Sequence, residues 1–265
     1  MKPIIISIFF LVLSFQISAQ TQLVLQSDYL NKPDTVWVFS PANASDHDTF
    51  PLVYLLHGWS GNHKQWNNII DCQEYADNYG FIIICPDGLY DSWYIDSPVK
   101  SENQFSSFFK LELIPTITEK FNAQKDNVFI TGLSMGGHGA IYLFEMNPLY
   151  FKSAGSLSGV LDLTDWTKYY GISRILDLED SENDDELSYN YSVIGNMEKL
   201  SSSNKEFIVS CGTEDPFYDL NVEFIRSCKE NNISVKFIES PGGHNTNYWR
   251  SSIDSHFEFF SKLVE

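Results

Sequence analysis

Basic side chains are scarce in this 265-residue chain, which has 17 Lys and Arg residues against 35 Asp and Glu residues. The resulting formal net charge of -18 repels the phosphates of nucleic acids and the headgroups of anionic lipids. No run of basic residues interrupts this surplus of negative charge. The sequence therefore argues against nucleic-acid binding and against stable membrane association.

Long hydrophobic runs are also missing, because no apolar segment reaches the roughly 20 residues that a transmembrane helix needs. The longest apolar stretch covers residues 4–15, follows Lys2, and leads into the small residue Ala19. A basic start, a short apolar core and a small-residue exit are typical of a cleaved secretory signal. We predict a signal peptide over residues 1–19, export to the periplasm or the medium, and a single domain over residues 20–265. A buried N-terminal helix is the alternative.

Cysteine is rare too, and the four cysteines show no CxxC or Cys/His spacing that would indicate a zinc site. Cys85 and Cys211 each end a run of Ile, Val and Phe, which indicates buried strand residues. Cys72 and Cys228 fall in predicted helices. Export permits disulfides, but these settings favour free thiols. No motif indicates a metal or an organic cofactor, and we predict none.

Neither an internal repeat nor a Pro-, Gly- or Ser-rich linker divides the chain. Short, nearly continuous runs of Ile, Val and Phe alternate with amphipathic stretches, which indicates strands buried on both faces. Such strands belong to a mostly parallel sheet, so we predict an α/β fold with helices on both faces of the sheet. The predicted strands are 36–39, 52–56, 81–85, 128–131, 153–157, 207–211 and 235–238, and the predicted helices are 64–79, 105–121, 138–146, 220–230 and 248–263.

One segment stands out by its acidity, since residues 177–186 (DLEDSENDDE) contain seven Asp and Glu residues. The spacing does not fit an EF-hand, because the segment lacks the glycine of the turn and the closing Glu. We predict a solvated loop or the start of a helix, whose N-terminus favours acidic side chains. Weak calcium binding is the alternative.

The sequence Gly132-Leu133-Ser134-Met135-Gly136 matches the GxSxG pattern and lies between a predicted strand and a predicted helix. In that context a sharp turn presents the serine hydroxyl at the end of the strand, and the glycines allow strand and helix to approach closely. Ligands of such sheets bind at the same edge. We therefore predict Ser134 as a nucleophile, with a plain glycine-rich turn as the alternative.

A serine hydroxyl needs a base to remove its proton, and we predict His244 among the six histidines. His244 lies in a glycine-bearing loop after the last predicted strand. His57 is expected to be structural, and His138 is expected to face away from Ser134 on the following helix. The three remaining histidines lie outside any loop suited to meeting the serine, and they are His47, His63 and His256.

The acid that orients the imidazole should lie between the serine and the histidine in chain order. Asp215, shortly after the predicted strand 207–211, is our first choice, and Glu214 and Asp162 are its rivals. The oxygen of a tetrahedral intermediate also needs N–H donors. We predict the backbone amides of Met135 and Trp59, with the amide of Gly58 as the alternative to the latter.

Six segments occur in the order seen in the esterase D-like branch of the α/β-hydrolases, which this chain resembles over roughly residues 35–260. They are HGWSGNH, DSWYIDSP, TGLSMGGHGA, SLSG, CGTEDPFYD and PGGHNTNYW. The branch includes small acyl esterases of the tributyrin-esterase kind. Its more distant relatives include S-formylglutathione hydrolase, feruloyl and acetyl esterases, and the antigen 85 mycolyltransferases.

The resemblance implies a catalytic triad of Ser134, Asp215 and His244 and oxyanion donors at Trp59 and Met135. It also implies that Trp93 and Tyr94 contact substrate, with plain packing as the alternative. One position departs from the family pattern, because Thr246 stands where relatives often carry Trp, although Trp249 matches. This change leaves the shape of the pocket wall, and with it the substrate, open.

Together these features predict a secreted serine carboxylesterase that hydrolyses short-chain or carbohydrate-linked acyl esters, acetyl or feruloyl, through an acyl-enzyme on Ser134. One alternative is an acyltransferase that moves the acyl group to a sugar or lipid alcohol. Another is a non-catalytic carbohydrate-binding module on the same fold. A peptidase is the weakest alternative, because the resemblance points to esters.

Overall fold

The computed structural model describes residues 19–42, 48–178 and 184–265. The predicted signal peptide, apart from Ala19, lies outside the described residues, as does His47. Eight strands form one sheet across the described ranges. They are β1 (Gln20–Leu25), β2 (Asp34–Phe39), β3 (Phe50–Leu56), β4 (Ile82–Pro86), β5 (Ala123–Gly132), β6 (Ser153–Leu157), β7 (Phe207–Gly212) and β8 (Val235–Ser240).

The strand order β1-β2-β4-β3-β5-β6-β7-β8 makes the sheet mostly parallel, as predicted. The five neighbouring pairs from β4 to β8 are parallel, and the pairs β1-β2 and β2-β4 are antiparallel. All seven predicted strands are present, most of them a few residues longer than predicted. The edge strand β1 was not predicted, because its residues alternate between exposed and half-buried and form no apolar run.

Helices lie in every connection from β3 to β8 and after β8, and they cover both faces of the sheet. Their bounds are α1 (Gln65–Ile69), α2 (Cys72–Tyr79), α3 (Phe105–Phe108), α4 (Ile114–Lys120), α5 (Met135–Met146), α6 (Ile172–Leu176), α7 (Asp184–Tyr191), α8 (Met197–Ser203), α9 (Tyr218–Glu230) and α10 (Thr246–Ser261). A π-helical turn, Phe109–Leu113, joins α3 to α4 just before Pro115, whose ring cannot donate a backbone hydrogen bond. The predicted helix 64–79 is instead two helices, because the Asp71 carboxylate caps a new N-terminus at α2.

The core has two parts, one on each face of the sheet. Leu52, Tyr54 and Leu56 of β3 pack into the part that α3, α4, α5 and α9 cover, and Val53 and Leu55 pack into the part that α1, α2 and α10 cover. This alternation along one strand is the physical basis of the predicted two-sided covering, which is confirmed. The four cysteines are buried and unpaired.

Two further predictions concern the surface. In the part of the acidic segment that the structure describes, α7 begins at Asp184 and carries Asp184, Asp185 and Glu186 in its first turn. Acidic side chains at this position interact favourably with the helix dipole. Among the helices within the described ranges, none is both long enough and apolar enough to cross a bilayer.

Candidate active site

The turn between β5 and α5 holds Ser134 in a backbone conformation that side-chain-bearing residues seldom adopt, with φ 55° and ψ -118°. The glycines of the turn make this geometry possible. A Cβ on Gly132 would lie 2.3 Å from the carbonyl oxygen of Gly136, and a Cβ on Gly136 would lie 2.3 Å from the carbonyl oxygen of Leu56. The Ser134 amide donates to Leu157 O at 2.9 Å, which fixes the turn against β6.

Three side chains from separate turns meet at this point. His244, in the loop after β8, has its Nε2 atom 2.9 Å from Ser134 Oγ. Its Nδ1 atom lies 3.0 Å and 3.2 Å from the two carboxylate oxygens of Asp215, which follows β7. The structure thus brings together the three residues that the sequence analysis predicts as nucleophile, base and acid.

The two rival acids lie elsewhere. The carboxylate of Asp162 accepts hydrogen bonds from the amide and the hydroxyl of Thr164 and contacts the hydroxyl of Ser192. Glu214 is exposed, and among the described residues the hydrogen bonds of His244 Nδ1 go to Asp215 and not to Glu214. Asp215 is therefore the carboxylate that the fold presents to His244.

The environment of His244 restricts the ring and protects its carboxylate partner. The Asp215 side chain is 0% exposed and also accepts from the Phe217 amide at 2.9 Å, whereas the His244 side chain is 23% exposed. Phe217 and Trp249 meet the imidazole edge-on, with ring centroids at 4.9 Å and 5.1 Å. One nitrogen is therefore held by a buried carboxylate while the other faces the serine, which is the arrangement that a general base requires.

The amides of Trp59 and Met135 are available as donors beside the serine. Met135 is the first residue of α5, where an amide has no partner inside the helix. Within the described ranges neither amide donates a hydrogen bond, whereas the amide of Gly58, the alternative donor, is occupied by Gln65 Oε1 at 2.8 Å. A Cβ on Gly58 would lie 3.4 Å from Ser134 Cβ, so this loop adjoins the nucleophile.

Trp93 and Tyr94, predicted as substrate contacts, lie in the core. Their side chains are 1% and 0% exposed, so they offer no surface to a substrate. Both residues pack in the core, which was the alternative to substrate contact. The indole of Trp93 donates to Tyr170 O, and the hydroxyl of Tyr94 donates to His57 O. The neighbouring Asp and Ser residues suggest an exposed loop, but left-handed backbone at both positions turns the rings inward.

Three other histidines are fully buried, and burial lowers the pKa of each below the usual 6.5. The pKa falls to about 4 for His57 and His138 and to about 3 for His256. The nitrogens of His138 face Trp93 O and Tyr191 O, away from Ser134. His57, which the sequence analysis expects to be structural, is buried and contacts backbone carbonyl groups.

A series of aromatic side chains in mutual contact reaches His244, and we call it the aromatic band. Ring contacts run from Tyr90 through Trp59 to Tyr170, and from there through Phe217 to His244, with centroid separations of 4.9 to 6.3 Å. Trp166 and Tyr169 complete the band. The signal in the sequence is the aromatic cluster Trp166-Thr167-Lys168-Tyr169-Tyr170, which lies outside the predicted strands and helices.

The charged side chains in the wall of a groove next to the aromatic band are all acidic, and one of them, Glu223, forms an ion pair with Arg226 outside the wall. The groove encloses ≈ 450 Å³, and its wall includes Trp166, Tyr169 and Pro216 with the side chains of Asp165, Asp219 and Glu223. Pro216 directly follows Asp215, so the groove begins on the histidine side of the site. We call it the acidic groove.

In the ranges that the structure describes, His, Cys, Asp and Glu side chains nowhere form a group of three that could hold a metal ion.

Comparison with known proteins agrees with the fold and with the predicted resemblance. The family model described as "Putative esterase" matches residues 27–260. The acetyl esterase of Caldicellulosiruptor saccharolyticus is 26% identical over an alignment of 273 positions, gaps included, and the alignment covers 92% of this chain and 98% of that protein.

Solved structures show the same fold at lower identity. A ferulic acid esterase has a TM-score of 0.78 at 22% identity and covers 92% of this chain and 98% of its own. An S-formylglutathione hydrolase from Agrobacterium tumefaciens has a TM-score of 0.80 at 22% identity and covers 96% of this chain and 99% of its own. The chain therefore belongs to the putative esterase family and is a serine hydrolase with the α/β-hydrolase fold.

Proposed function

We propose that the protein is a serine carboxylesterase that hydrolyses acyl esters through an acyl-enzyme on Ser134. The observation that carries this proposal is the unbroken contact from Ser134 Oγ through His244 to the buried Asp215 carboxylate. The strained turn at Ser134 and the two unoccupied amides beside it support the same chemistry.

The reaction follows from these positions. His244 Nε2 accepts the hydroxyl proton while Ser134 Oγ bonds to the ester carbonyl carbon, and the carbonyl oxygen becomes an oxyanion that the amides of Trp59 and Met135 stabilise. His244 then donates the proton to the leaving oxygen, the ester C–O bond breaks, and the acyl group stays on Ser134. Water repeats the sequence and releases the acid, while Asp215 stabilises the imidazolium in both halves.

We propose further that the leaving group is a sugar or a similar neutral polyol, and that the acyl group is acetyl or feruloyl. Aromatic ring faces can stack on the apolar faces of a sugar, and its hydroxyls can donate to the carboxylates of Asp165 and Asp219. The same carboxylates repel an anionic leaving group such as glutathione. The match to an acetyl esterase over 92% of the chain supports this choice.

Replacement of Ser134 with alanine tests the reaction. We expect kcat/KM for p-nitrophenyl acetate to fall by a factor of about 10⁴ or more, because the residual rate comes only from binding and the oxyanion donors. The matched control is Ser251→Ala, on the exposed face of α10, which should keep wild-type activity. Wild-type activity in Ser134→Ala would overturn the proposal. Failure of a fluorophosphonate probe to label the wild-type protein would instead favour the non-catalytic module.

A substrate panel tests the leaving-group proposal. We expect acetylated or feruloylated xylo-oligosaccharides to be cleaved with a higher kcat/KM than S-formylglutathione, and the variant Asp219→Asn to narrow that difference by weakening the repulsion of the anion. A higher kcat/KM for S-formylglutathione would refute the proposal that the leaving group is a sugar.

Product analysis with added sugar acceptors separates hydrolysis from acyl transfer, since a transferase would yield acylated acceptor instead of free acid.

We also propose export, on the basis of the basic start, short apolar core and small-residue exit in residues 1–19. The test is the intact mass of the protein recovered from outside the cytoplasm of a bacterial host. A mature chain beginning at Gln20 is expected, and recovery of the uncleaved chain in the cytoplasm would contradict the proposal.

A further inference from the structure

The direction of the Trp59 amide depends on two consecutive peptide planes, His57–Gly58 and Gly58–Trp59. A peptide unit is planar and trans, so its N–H points opposite to its carbonyl group. Any group that holds the carbonyl of one of these peptides therefore also sets the direction of the amide in the same plane. Hydrogen bonds and close contacts hold both planes.

The Gly58–Trp59 peptide is held at its carbonyl end. Gly58 O accepts from the Gly61 amide at 3.0 Å and lies 2.7 Å from Nδ1 of His57. Because this oxygen points into the loop, the Trp59 N–H at the other end of the plane points out of the loop. It has no acceptor of its own among the described residues, so it is available to an incoming oxyanion.

The preceding peptide, His57–Gly58, is held at both ends. Its carbonyl oxygen accepts from the Tyr94 hydroxyl at 2.9 Å, and its N–H donates to Gln65 Oε1 at 2.8 Å. Two side chains from different parts of the chain therefore fix the rotation of this plane. Because Gly58 has no side chain that would restrict its backbone, a rotation of the plane before it would shift the direction of the Trp59 amide, although Gly58 O keeps its own contacts.

The hydroxyl of Tyr94 cannot shift easily, since the packing around its ring is tight. A Cβ on Gly139 would lie 2.2 Å from the Tyr94 ring, and a Cβ on Gly88 would lie 2.6 Å from its hydroxyl. Trp93 and Tyr94 have φ angles of 52° and 62°, a backbone geometry that brings the ring under the loop. A second link joins the same segments, because the Ser60 amide donates to Tyr90 O at 2.8 Å.

We propose that Tyr94 and Gln65 are positioning residues of the oxyanion site, acting together on the His57–Gly58 peptide to aim the Trp59 amide. This inference rests on the proposed serine esterase function. It gives Tyr94 a role in the reaction without contact with substrate. The role differs from the substrate contact that the sequence predicts for the same residue.

The decisive variant is Tyr94→Phe, which removes only the hydroxyl and keeps the packed ring. Loss of a complete oxyanion donor costs a factor of about 10² to 10³, and we expect the misdirected donor to lower kcat and kcat/KM by about 10-fold each. KM should stay within about twofold, because the lost interaction forms only in the transition state. The inhibition constant of phenylboronic acid, whose tetrahedral serine adduct places an oxygen at the oxyanion site, should rise by the same factor.

The matched control is Tyr150→Phe, which removes a hydroxyl that contacts Tyr54 OH at 2.9 Å and follows the C-terminus of α5, whereas Ser134 precedes its N-terminus. It should lower the melting temperature by an amount similar to that of Tyr94→Phe and leave kcat and the boronic acid constant unchanged. Equal kcat values for Tyr94→Phe and the wild type would overturn the inference. So would a fall in kcat that Tyr150→Phe reproduces, because that would reflect stability alone.

A double-mutant cycle tests whether the two side chains act on one peptide. Gln65→Met removes the other contact at similar size, and we expect an approximately 10-fold loss of kcat on its own. Since either loss already frees the plane, the double variant should lose clearly less than the product of the two single effects. Fully multiplicative losses would refute the shared action. Failure of the proposed function is distinguishable, because it would appear as activity that survives Ser134→Ala.

Discussion

Two histidines in this molecule contact a serine hydroxyl at nearly the same distance, and only one of them is suited to catalysis. His244 Nε2 lies 2.9 Å from Ser134 Oγ, and His256 Nε2 lies 3.0 Å from Ser210 Oγ. The second nitrogen of His244 meets the carboxylate of Asp215, whereas that of His256 meets the hydroxyl of Thr131 at 2.9 Å. A serine–histidine contact by itself therefore says little about chemistry.

The difference lies in charge and access. A carboxylate stabilises the imidazolium that forms when the ring accepts a proton, and hydroxyl partners do so only weakly. His256 is 0% exposed, and burial lowers its pKa to about 3, so the ring stays neutral and joins β5 to β7. His244 is partly exposed, beside a serine in strained backbone. The comparison indicates that a serine–histidine contact becomes reactive when the histidine also contacts a carboxylate and is open to solvent.

The largest expected contrast comes from replacing each histidine with glutamine. His244→Gln should lower kcat/KM for p-nitrophenyl acetate by a factor of about 10⁴, because the base is lost while the oxyanion donors remain. His256→Gln should keep kcat/KM within a few-fold when assayed below its melting temperature. Comparable losses of activity in both variants, with both folds intact by circular dichroism, would contradict the conclusion that only His244 is catalytic.

The carboxylate can be tested separately with Asp215→Asn. We expect kcat to fall by a factor of about 10³ to 10⁴, because the amide NH2 group can donate to Nδ1 and so favours the tautomer whose proton is on Nε2, the nitrogen that must accept from Ser134. Glu214→Gln is the matched control at the adjacent, exposed position and should leave kcat unchanged. The steady-state kinetics of the two variants decide between the two acids, and a loss confined to Glu214→Gln would reverse the assignment.

The contact between His256 and Ser210 can be tested with Ser210→Ala, which should lower stability and leave activity unchanged. Removing the hydroxyl leaves Nε2 of His256 buried without a partner, at a cost of about 1 to 3 kcal/mol in the free energy of unfolding. Urea denaturation measures this loss, and kcat should stay near the wild-type value. A large fall in kcat without a change in stability would show that the second serine–histidine pair has a catalytic role.

The smallest effect is the pH dependence that His256 contributes. Its folded pKa of about 3 lies below the unfolded value of about 6.5, so its neutral form stabilises the fold fully above pH 6.5 and loses that contribution as pH falls towards 3. The destabilisation caused by His256→Gln should therefore shrink by about 1.4 kcal/mol per pH unit below pH 6.5. Urea denaturation of both proteins at pH 7, 6 and 5 measures it. A constant difference would contradict the neutral, buried ring.

The sequence predicts the buried strands and the meeting of Ser134, Asp215 and His244, because each of the three follows an apolar run and has turn residues beside it. The break between α1 and α2 was also readable, since Asp71 and Glu74 have the spacing of a capping box. The burial of Trp93 and Tyr94 was not, because it depends on left-handed backbone angles that L-residues rarely adopt. Long-range contacts of this kind leave no periodic pattern in the chain.

The strained turn at Ser134 has a consequence for protein engineering. Its φ of 55° and ψ of -118° suit glycine better than any other residue, so the exchange Ser134→Gly relaxes the backbone at the very position where the hydroxyl is required. A selection for thermal stability alone would favour that exchange. The selected protein would be more stable, but it would lack the hydroxyl that carries the acyl group. Selection for durability and selection for turnover therefore pull this residue in opposite directions.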